Sequence, residues 1–309
     1  MPKVSVIIPV YNAGKFLAQT LTSVYLQSFQ DLEIVIVDDG STDDSLEVID
    51  KVSREYSRAI SIIRQRNEGG PAARNRGAQM ARGELLAFLD ADDLWYQEKL
   101  RLQVEAMQDN SHAVMVWANW DVIDKDGKIL IKGHAGERLR NPDETPLTEL
   151  LGMEARAVHL STIVVRKDAF FKIGGFDPEV FPIEDYDFAF SIFQQGLCIF
   201  LDSPLVAYRN HSSGISKVGC LLHRGMEVLL KKLAKHYAHD REKSVLVQQL
   251  LADLYMHWGW DEVRAGQYHS GRRRLFKSLA YNPTKIRTYS RLARSFLPKG
   301  LARLISKQQ

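Results

Sequence analysis

The residues of this chain whose types and spacing could do chemistry are mostly carboxylates. Asp90-Ala91-Asp92-Asp93 sets three of them within four positions, directly after the apolar run 85–89. Crowded carboxylates repel one another, and a divalent cation relieves that repulsion. Mg2+ or Mn2+ prefers oxygen ligands and is commonly held by one or two carboxylates together with substrate phosphates. A helix cap is the plainer use, since Asp92 or Asp93 precedes a helical pattern from Trp95 onward, but a cap leaves the other acids unexplained. The cluster is read as a site for Mn2+ or Mg2+. Asp38-Asp39-Gly40-Ser41 follows the second apolar run, where a turn with a helix cap accounts for these residues taken alone. A third acidic group, Pro182-Ile183-Glu184-Asp185-Tyr186-Asp187, opens a helical pattern. Acids there complement the positive end of a helix whether or not they react.

These groups need elements to hold them. Apolar, β-branched runs at 4–8, 33–37, 60–63 and 85–89 predict strands, and helical patterns lie between them at 15–27, 43–56 and 71–80. In the first of these, Phe16, Leu17, Leu21, Val24 and Tyr25 recur at the spacing of one helix face. Ser41-Thr42-Asp43 can cap the second, and Pro71 suits the first turn of the third. Apolar strands separated by helices predict an α/β fold with a parallel sheet and right-handed crossovers. Ligands of such sheets bind beyond the carboxyl ends of the strands. Pro9-Val10-Tyr11-Asn12, the Asp38-Asp39 turn and the acidic cluster all fall there. Further on the pattern is mixed: strands at 114–120 and 128–132 around Asp126-Gly127, another at 161–166, and a helix at 184–195 ended by Gly196. Beyond residue 218 it is helical, with helices at 221–238 and 243–258.

Bulk properties narrow the class. The 309 residues, 45% apolar and 26% charged, suit an ordinary globular protein. Cys198 and Cys220 are too few for a disulfide framework, and Cys198 sits in an apolar stretch as a small hydrophobe would. The first apolar run is short, ends at Pro9 and has no small-residue cleavage site after it, which predicts no signal peptide. No apolar run approaches the roughly 20 residues of a membrane span. A cytoplasmic protein is expected. After Glu262 the chain has twelve basic residues and no acidic one, so its net charge of +3 leaves −9 on residues 1–262. An acidic body with a basic tail implies two physically different parts.

The motifs combine into a pattern. Pro9-Val10-Tyr11-Asn12, Val37-Asp38-Asp39-Gly40-Ser41-Thr42-Asp43, Asn67-Glu68-Gly69-Gly70 with Ala73-Arg74-Asn75-Arg76-Gly77, and Leu89-Asp90-Ala91-Asp92-Asp93 together closely resemble the family 2 glycosyltransferases of the GT-A fold. The resemblance covers about residues 3–218 and is most specific in the first hundred. It implies a Rossmann-like, mostly parallel sheet flanked by helices, with residues 1–110 as a nucleotide-binding half and 111–218 as an acceptor half. Residues 219–309 would be a helical, basic extension. It also implies an inverting transfer of a sugar from a nucleotide-diphosphate donor, a UDP-sugar by preference, to a hydroxyl of a glycan or glycolipid.

The same resemblance implies roles residue by residue. Pro9, Val10, Tyr11 and Asn12 would lie against the nucleotide, with Tyr11 stacked on the base. Asp39 would accept from a uracil ring nitrogen, and Arg74 would help hold the nucleotide, where the plain alternative is a solvated arginine. Asp90 belongs to the same donor cluster, Asp92 would contact ribose or metal, and Asp93 would ligate the metal. Asp185 would be the general base, because inversion needs a carboxylate in line with the leaving diphosphate, and Glu184 would bind or orient the acceptor. The segment 208–216 resembles a loop that closes over the donor, where Arg209 could meet the diphosphate and His211 could be a further metal ligand. The other eight histidines show no ligand spacing. Phe188-Ala189-Phe190-Ser191-Ile192-Phe193 departs from the leucine and arginine that many relatives carry after the Glu-Asp pair, which leaves the acceptor open.

Other classes fit less well. A nucleotidyltransferase would want a glycine-rich, lysine-bearing phosphate loop, and Asn12-Ala13-Gly14-Lys15 is too sparse. A dehydrogenase would want Gly-x-Gly-x-x-Gly after the first strand. An inactive sugar-nucleotide-binding module would be expected to lack Asp93 or Asp185, and both are present. In the segment 289–305, Leu292, Phe296, Leu301, Leu304 and Ile305 alternate with Arg291, Arg294, Lys299 and Arg303. Such a segment can lie on an anionic membrane surface, at about 1 kcal/mol per basic residue near the lipid. Packing on the acidic body is an equal alternative, and nucleic acid is not an expected partner, because aromatic interleaving is sparse.

Overall fold

The computed structural model describes residues 2–56, 60–135, 158–211 and 219–296. They form two compact units, one of residues 2–211 and one of residues 219–296.

The first unit is built on one sheet. Strands β1 (Val4–Val10), β2 (Leu32–Asp38), β3 (Ile60–Arg64) and β4 (Leu85–Phe88) pair in parallel in the order β3-β2-β1-β4. The two central strands are buried along almost their whole length, as parallel strands covered on both faces must be. Helices α1 (Gly14–Tyr25), α2 (Ser45–Tyr56) and α3 (Gly70–Met80) make the crossovers. The face of α1 foreseen in the sequence, from Phe16 to Tyr25, is buried in the structure.

Beyond β4 the sheet continues through β8 (Val164–Arg166), β6 (Ala113–Ile123), β9 (Leu197–Arg209) and β5 (Leu94–Trp95), and β7 (Ile129–Ile131) hangs on β6. Strands β5, β7 and β8 are antiparallel to their neighbours, while β6 and β9 run with the first four. Helices α4 (Lys99–Asp109), α5 (Lys167–Lys172) and α6 (Glu184–Phe193) complete the unit. This is the mostly parallel, helix-flanked α/β sheet expected.

Two local readings are corrected and a third is extended. The pattern from Trp95 onward begins as strand β5, and helix α4 starts only at Lys99. Trp95 is held there by its indole N–H, which donates to the Ser161 carbonyl at 2.8 Å. Tyr208 and Arg209, expected in a loop, are the last residues of the long strand β9. That strand escaped notice because Asp202-Ser203-Pro204 interrupts its apolar pattern. The structure takes up the interruption as register shifts against β6 around Asn119, whose side-chain amide donates to Asp202 Oδ1 at 2.9 Å. Residues 212–216 of the expected loop lie outside the described residues. Asp43, read as a cap for α2, serves two helices. Its Oδ1 accepts from the Ser45 amide at 3.1 Å and its Oδ2 from the Gly14 amide at 3.0 Å, at the start of α1.

The second unit consists of helices α7 (Gly219–His236), α8 (Arg241–Arg264), α9 (Tyr268–Tyr281) and α10 (Ile286–Arg294). Glycine lets α8 and α9 approach closely: a Cβ on Gly259 would stand 2.7 Å from the Gly271 carbonyl oxygen. Met256, Val263 and Leu275 fill the core beside that crossing. Several tail cations are neutralised within the unit, Arg274 by Glu262, Lys277 by Glu227 and Lys285 by Asp253. Of the amphipathic segment 289–305, residues 297–305 lie outside the described residues. No helix among the described residues is long and apolar enough to cross a membrane.

Candidate active site

The carboxyl ends of β1, β2 and β4 carry the first set of residues. Pro9 and Val10 are the end of β1, and Tyr11 follows with half of its surface exposed, 51%. Asn12 takes a left-handed conformation at φ 49°, which asparagine tolerates better than most residues. Its side-chain oxygen accepts from the Thr42 amide at 2.8 Å, and its own amide donates to Ser41 Oγ at 3.1 Å. The turn after β1 is thereby latched to the turn after β2. Asp39 is buried, and its backbone amide donates to the Val10 carbonyl. Its Oδ1 accepts from Gln65 Nε2 and the Glu68 amide, and its Oδ2 from the Gly69 amide at 2.8 Å. Asp39 thus shapes the segment that leads into α3, while a carboxylate with about four lone-pair directions keeps capacity for a further donor.

The acidic turn after β4 is held from several sides. Asp93 is 1% exposed, and its Oδ2 accepts from Ser161 Oγ at 2.6 Å and its Oδ1 from the Arg209 amide at 2.9 Å. Thr20 Oγ1 donates to the carbonyls of Ala91 and Asp93, both at 2.9 Å. Asp92 Oδ2 meets His211 Nε2 at 2.8 Å. Ligand atoms of Asp90, Asp93 and His159 lie within 4.8 Å of one another. Burial and the neighbouring Asp92 and Asp90 push Asp93 well above the ordinary carboxyl range. Burial and Asp90 also raise Asp92, against the pull of His211. Burial opposes the charge of Asp90, yet Arg74 and His159 hold it below its ordinary value. Carboxyls whose ionisation is opposed by burial and by one another are in the condition that a divalent cation relieves. The two carboxylates fit Mn2+ or Mg2+ completed by phosphate oxygens, and an imidazole beside them favours Mn2+ of the two.

The structure adds one group to those read from the sequence. His211 is paired with Asp92, but the close three-group arrangement is completed by His159, which spacing could not reveal because it lies far along the chain, just before β8. The approach depends on the antiparallel β4–β8 pairing, which brings Ser161 to the Asp90 amide at 3.1 Å. Arg209, foreseen at a diphosphate, is 2% exposed with its guanidinium on internal acceptors: the Asp92 and Lys125 carbonyls and Gln19 Oε1. It braces the acidic turn through these bonds.

Arg74 is not a solvated arginine. It is 6% exposed, and its Nη1 donates to Glu184 Oε1 at 2.9 Å while Nη2 donates to Asp90 Oδ1. Burial works against its charge, and Asp90 and Glu184 more than restore it. The next residue, Asn75, was given no role by the sequence. Its amide donates to the Phe176 carbonyl at 2.7 Å, and its oxygen accepts from the Phe176 amide at 2.9 Å. The Arg74-Asn75 pair therefore fastens α3 to the Gly174-Gly175-Phe176-Asp177 turn and to the first residue of α6. Burial raises Glu184, with Arg74 opposing. Burial and the adjacent Glu184 push Asp185 up to about 7, and its Oδ1 accepts from the Tyr186 amide at 2.9 Å. A carboxyl poised there can take and return a proton near neutral pH.

Comparison with known proteins follows this geometry. The sequence profile described as Glycosyl transferase family 2 matches residues 5–173. An uncharacterized glycosyltransferase of Nostoc sp. is 44% identical over 128 residues, 41% of this chain and 39% of that protein. One of Rickettsia prowazekii is 28% identical over 263 residues, 82% of this chain and 79% of that protein. The match spans half or less of several of the curated relatives, including the Nostoc protein and one of Haemophilus influenzae, of which it covers 50%. Among solved structures, S. aureus TarS residues 1–349 in complex with UDP-GlcNAc superposes with a TM-score of 0.64 at 17% identity, over 95% of this chain and 90% of that one. The mannosyltransferase PcManGT of Pyrobaculum calidifontis, in complex with GDP-Man and Mn2+, gives 0.56 at 18% identity, over 99% and 79%. These likenesses establish the GT-A fold.

Proposed function

The chain belongs to glycosyltransferase family 2, and from that premise we propose that residues 1–218 transfer a sugar, with inversion, from a UDP-sugar to a hydroxyl of a glycan or glycolipid acceptor in the synthesis of a surface polysaccharide or glycolipid. The observation that carries the reading is the pair of carboxylate groups, Asp90–Asp93 and Glu184–Asp185, joined through the buried guanidinium of Arg74. Solved structures of the same fold hold UDP-GlcNAc, or GDP-Man with Mn2+, which supports a nucleotide-sugar donor and a cation here.

In this reading Tyr11 stacks on the base, Asp39 accepts from the uracil N–H, and Asp92 reaches ribose or cation. Asp90, Asp93 and His159 would hold the cation, and His211 would steady Asp92. When bound, Mn2+ or Mg2+ supplies neutralisation of the departing diphosphate. Asp185 takes the proton of the acceptor hydroxyl as its oxygen bonds to the anomeric carbon. The bond from that carbon to the diphosphate breaks on the opposite face, and its electron pair leaves with the nucleotide. Glu184, fixed by Arg74, orients the acceptor side.

Calorimetry with UDP, GDP and CDP, each with and without Mn2+, tests the donor reading. UDP is expected to bind with a marked dependence on Mn2+, and metal-independent binding or none would sink it.

The second unit supports a further partner, an anionic membrane reached from the cytoplasmic side. Helices α9 and α10 carry no acidic residue. Phe276, Ile286, Tyr289 and Phe296 are exposed on or just after them, Ile286 at 81%. Arg273 and Arg287 form no ion pair among the described residues. Sedimentation with vesicles of phosphatidylglycerol against phosphatidylcholine tests it: binding to the first alone is expected, and binding to neither removes the membrane from the account.

A further inference from the structure

Arg74 touches both carboxylate groups of the proposed reaction, and the three side chains of this bridge lie largely out of water. Arg74 and Glu184 are each 7% exposed and Asp90 28%. Two carboxylates on one guanidinium leave a negative charge uncompensated, and in a poorly hydrated place the balance responds strongly to any new positive charge. Asp90 is one of the groups that would hold the cation, whereas Glu184 begins α6 and immediately precedes Asp185. Helix α3 cannot shift to absorb an imbalance. Asn75 fastens it to Phe176 by two hydrogen bonds, and Gly77 lies so close to β1 that a Cβ there would stand 2.5 Å from Ile7. With α3 fixed, the freedom left to Arg74 is how it divides its hold between Asp90 and Glu184.

We propose that Arg74 is a positioning residue that couples occupancy of the donor site to the placement of the acceptor helix. Positive charge arriving at Asp90 with the donor frees Arg74 from that carboxylate and tightens its grip on Glu184. The first turn of α6, with Asp185, is then held for proton transfer once the donor is present. The coupling rests on the reading of Asp90 as part of the donor-cation site, and it differs from a direct hold of Arg74 on the nucleotide.

Amide hydrogen exchange across residues 184–190 of the full chain tests the coupling, with and without UDP plus Mn2+, and with GDP plus Mn2+ in parallel. In the unmodified protein the nucleotide is expected to slow these amides about fivefold. In Arg74→Lys and in Glu184→Gln that slowing is expected to vanish, while calorimetric affinity for the nucleotide stays within about threefold. Lysine keeps the charge but cannot span two carboxylates as a guanidinium does. Glu184→Gln preserves shape and serves as the measurement should Arg74→Lys fail to fold. Slowing that persists in Glu184→Gln overturns the coupling, and so does a loss of nucleotide affinity of about tenfold or more in Arg74→Lys, which would mark a direct hold. If neither nucleotide binds the unmodified chain, the donor reading itself falls, and the calorimetry shows this before any variant is made.

Discussion

The acidic turn after β4 and the acidic first turn of α6 place the same residue types in different settings. In the turn, each carboxylate oxygen of Asp93 has a protein donor, Ser161 Oγ and the Arg209 amide, and Asp92 has His211. The array is fixed in place and strained in charge. At α6, Asp185 accepts from the Tyr186 amide, and burial together with Glu184 lifts it to about 7. In both regions burial and neighbouring carboxylates strengthen a carboxyl's hold on its proton, at Asp93 and at Asp185; what differs is that Asp93 accepts from two separate elements and Asp185 from the next amide of its own helix. Proximity of carboxylates therefore does not by itself decide the chemistry; the donors around them do.

The sharpest way to break this contrast is to remove the charge on one side only. Asp185→Asn is expected to lower transfer by about a thousandfold while leaving Mn2+-dependent nucleotide binding intact. Equal loss of both would make the two regions one site. Asp93→Asn should do the reverse, weakening metal-dependent nucleotide binding, read by calorimetry, by about tenfold or more.

A pH series sharpens the same distinction. Asp185 must be ionised to act as a base, so transfer should rise with pH through about 7. Its folded pKa is raised above the ordinary 3.8, so the native state holds the proton more tightly than the unfolded chain between about pH 4 and 7. Stability therefore falls as pH rises across that window, and Asp185→Asn should be stabilising at pH 8 relative to its effect at pH 4. Denaturant midpoints at the two pH values check the sign, and an unchanged difference would refute the raised pKa.

The smallest expected effect concerns the link between the regions. Asn75→Ala removes both bonds to Phe176 and should cost about 2–3 kcal/mol of stability in denaturant unfolding. A change within about 0.5 kcal/mol would mean that α3 is fastened elsewhere.

Much of the first unit was legible because its signals are local. Buried parallel strands read as unbroken apolar runs, and the turns after them concentrate aspartate and glycine. Asp39, Asp93 and Asp185 stand at the starts of segments that composition alone marks out. Strand β9 was not legible, because its pairing with β6 tolerates Pro204 only through register shifts that two strands create together. The placement of Arg209 was not legible for the same reason, since an arginine at a loop and an arginine at a buried strand end look alike in one dimension.

By itself, then, the sequence determined the scaffold of the first four strands, its order of strands and helices, and the carboxylates gathered at their ends. Only the tertiary structure decided which of them meet. His159 joins Asp90 and Asp93 through the antiparallel pairing of β4 with β8, and Arg74 joins Asp90 to Glu184 across the buried interior. Periodicity records the face that each element buries, but charge and ligand partnerships between distant elements depend on register and burial, which appear only when the sheet is assembled.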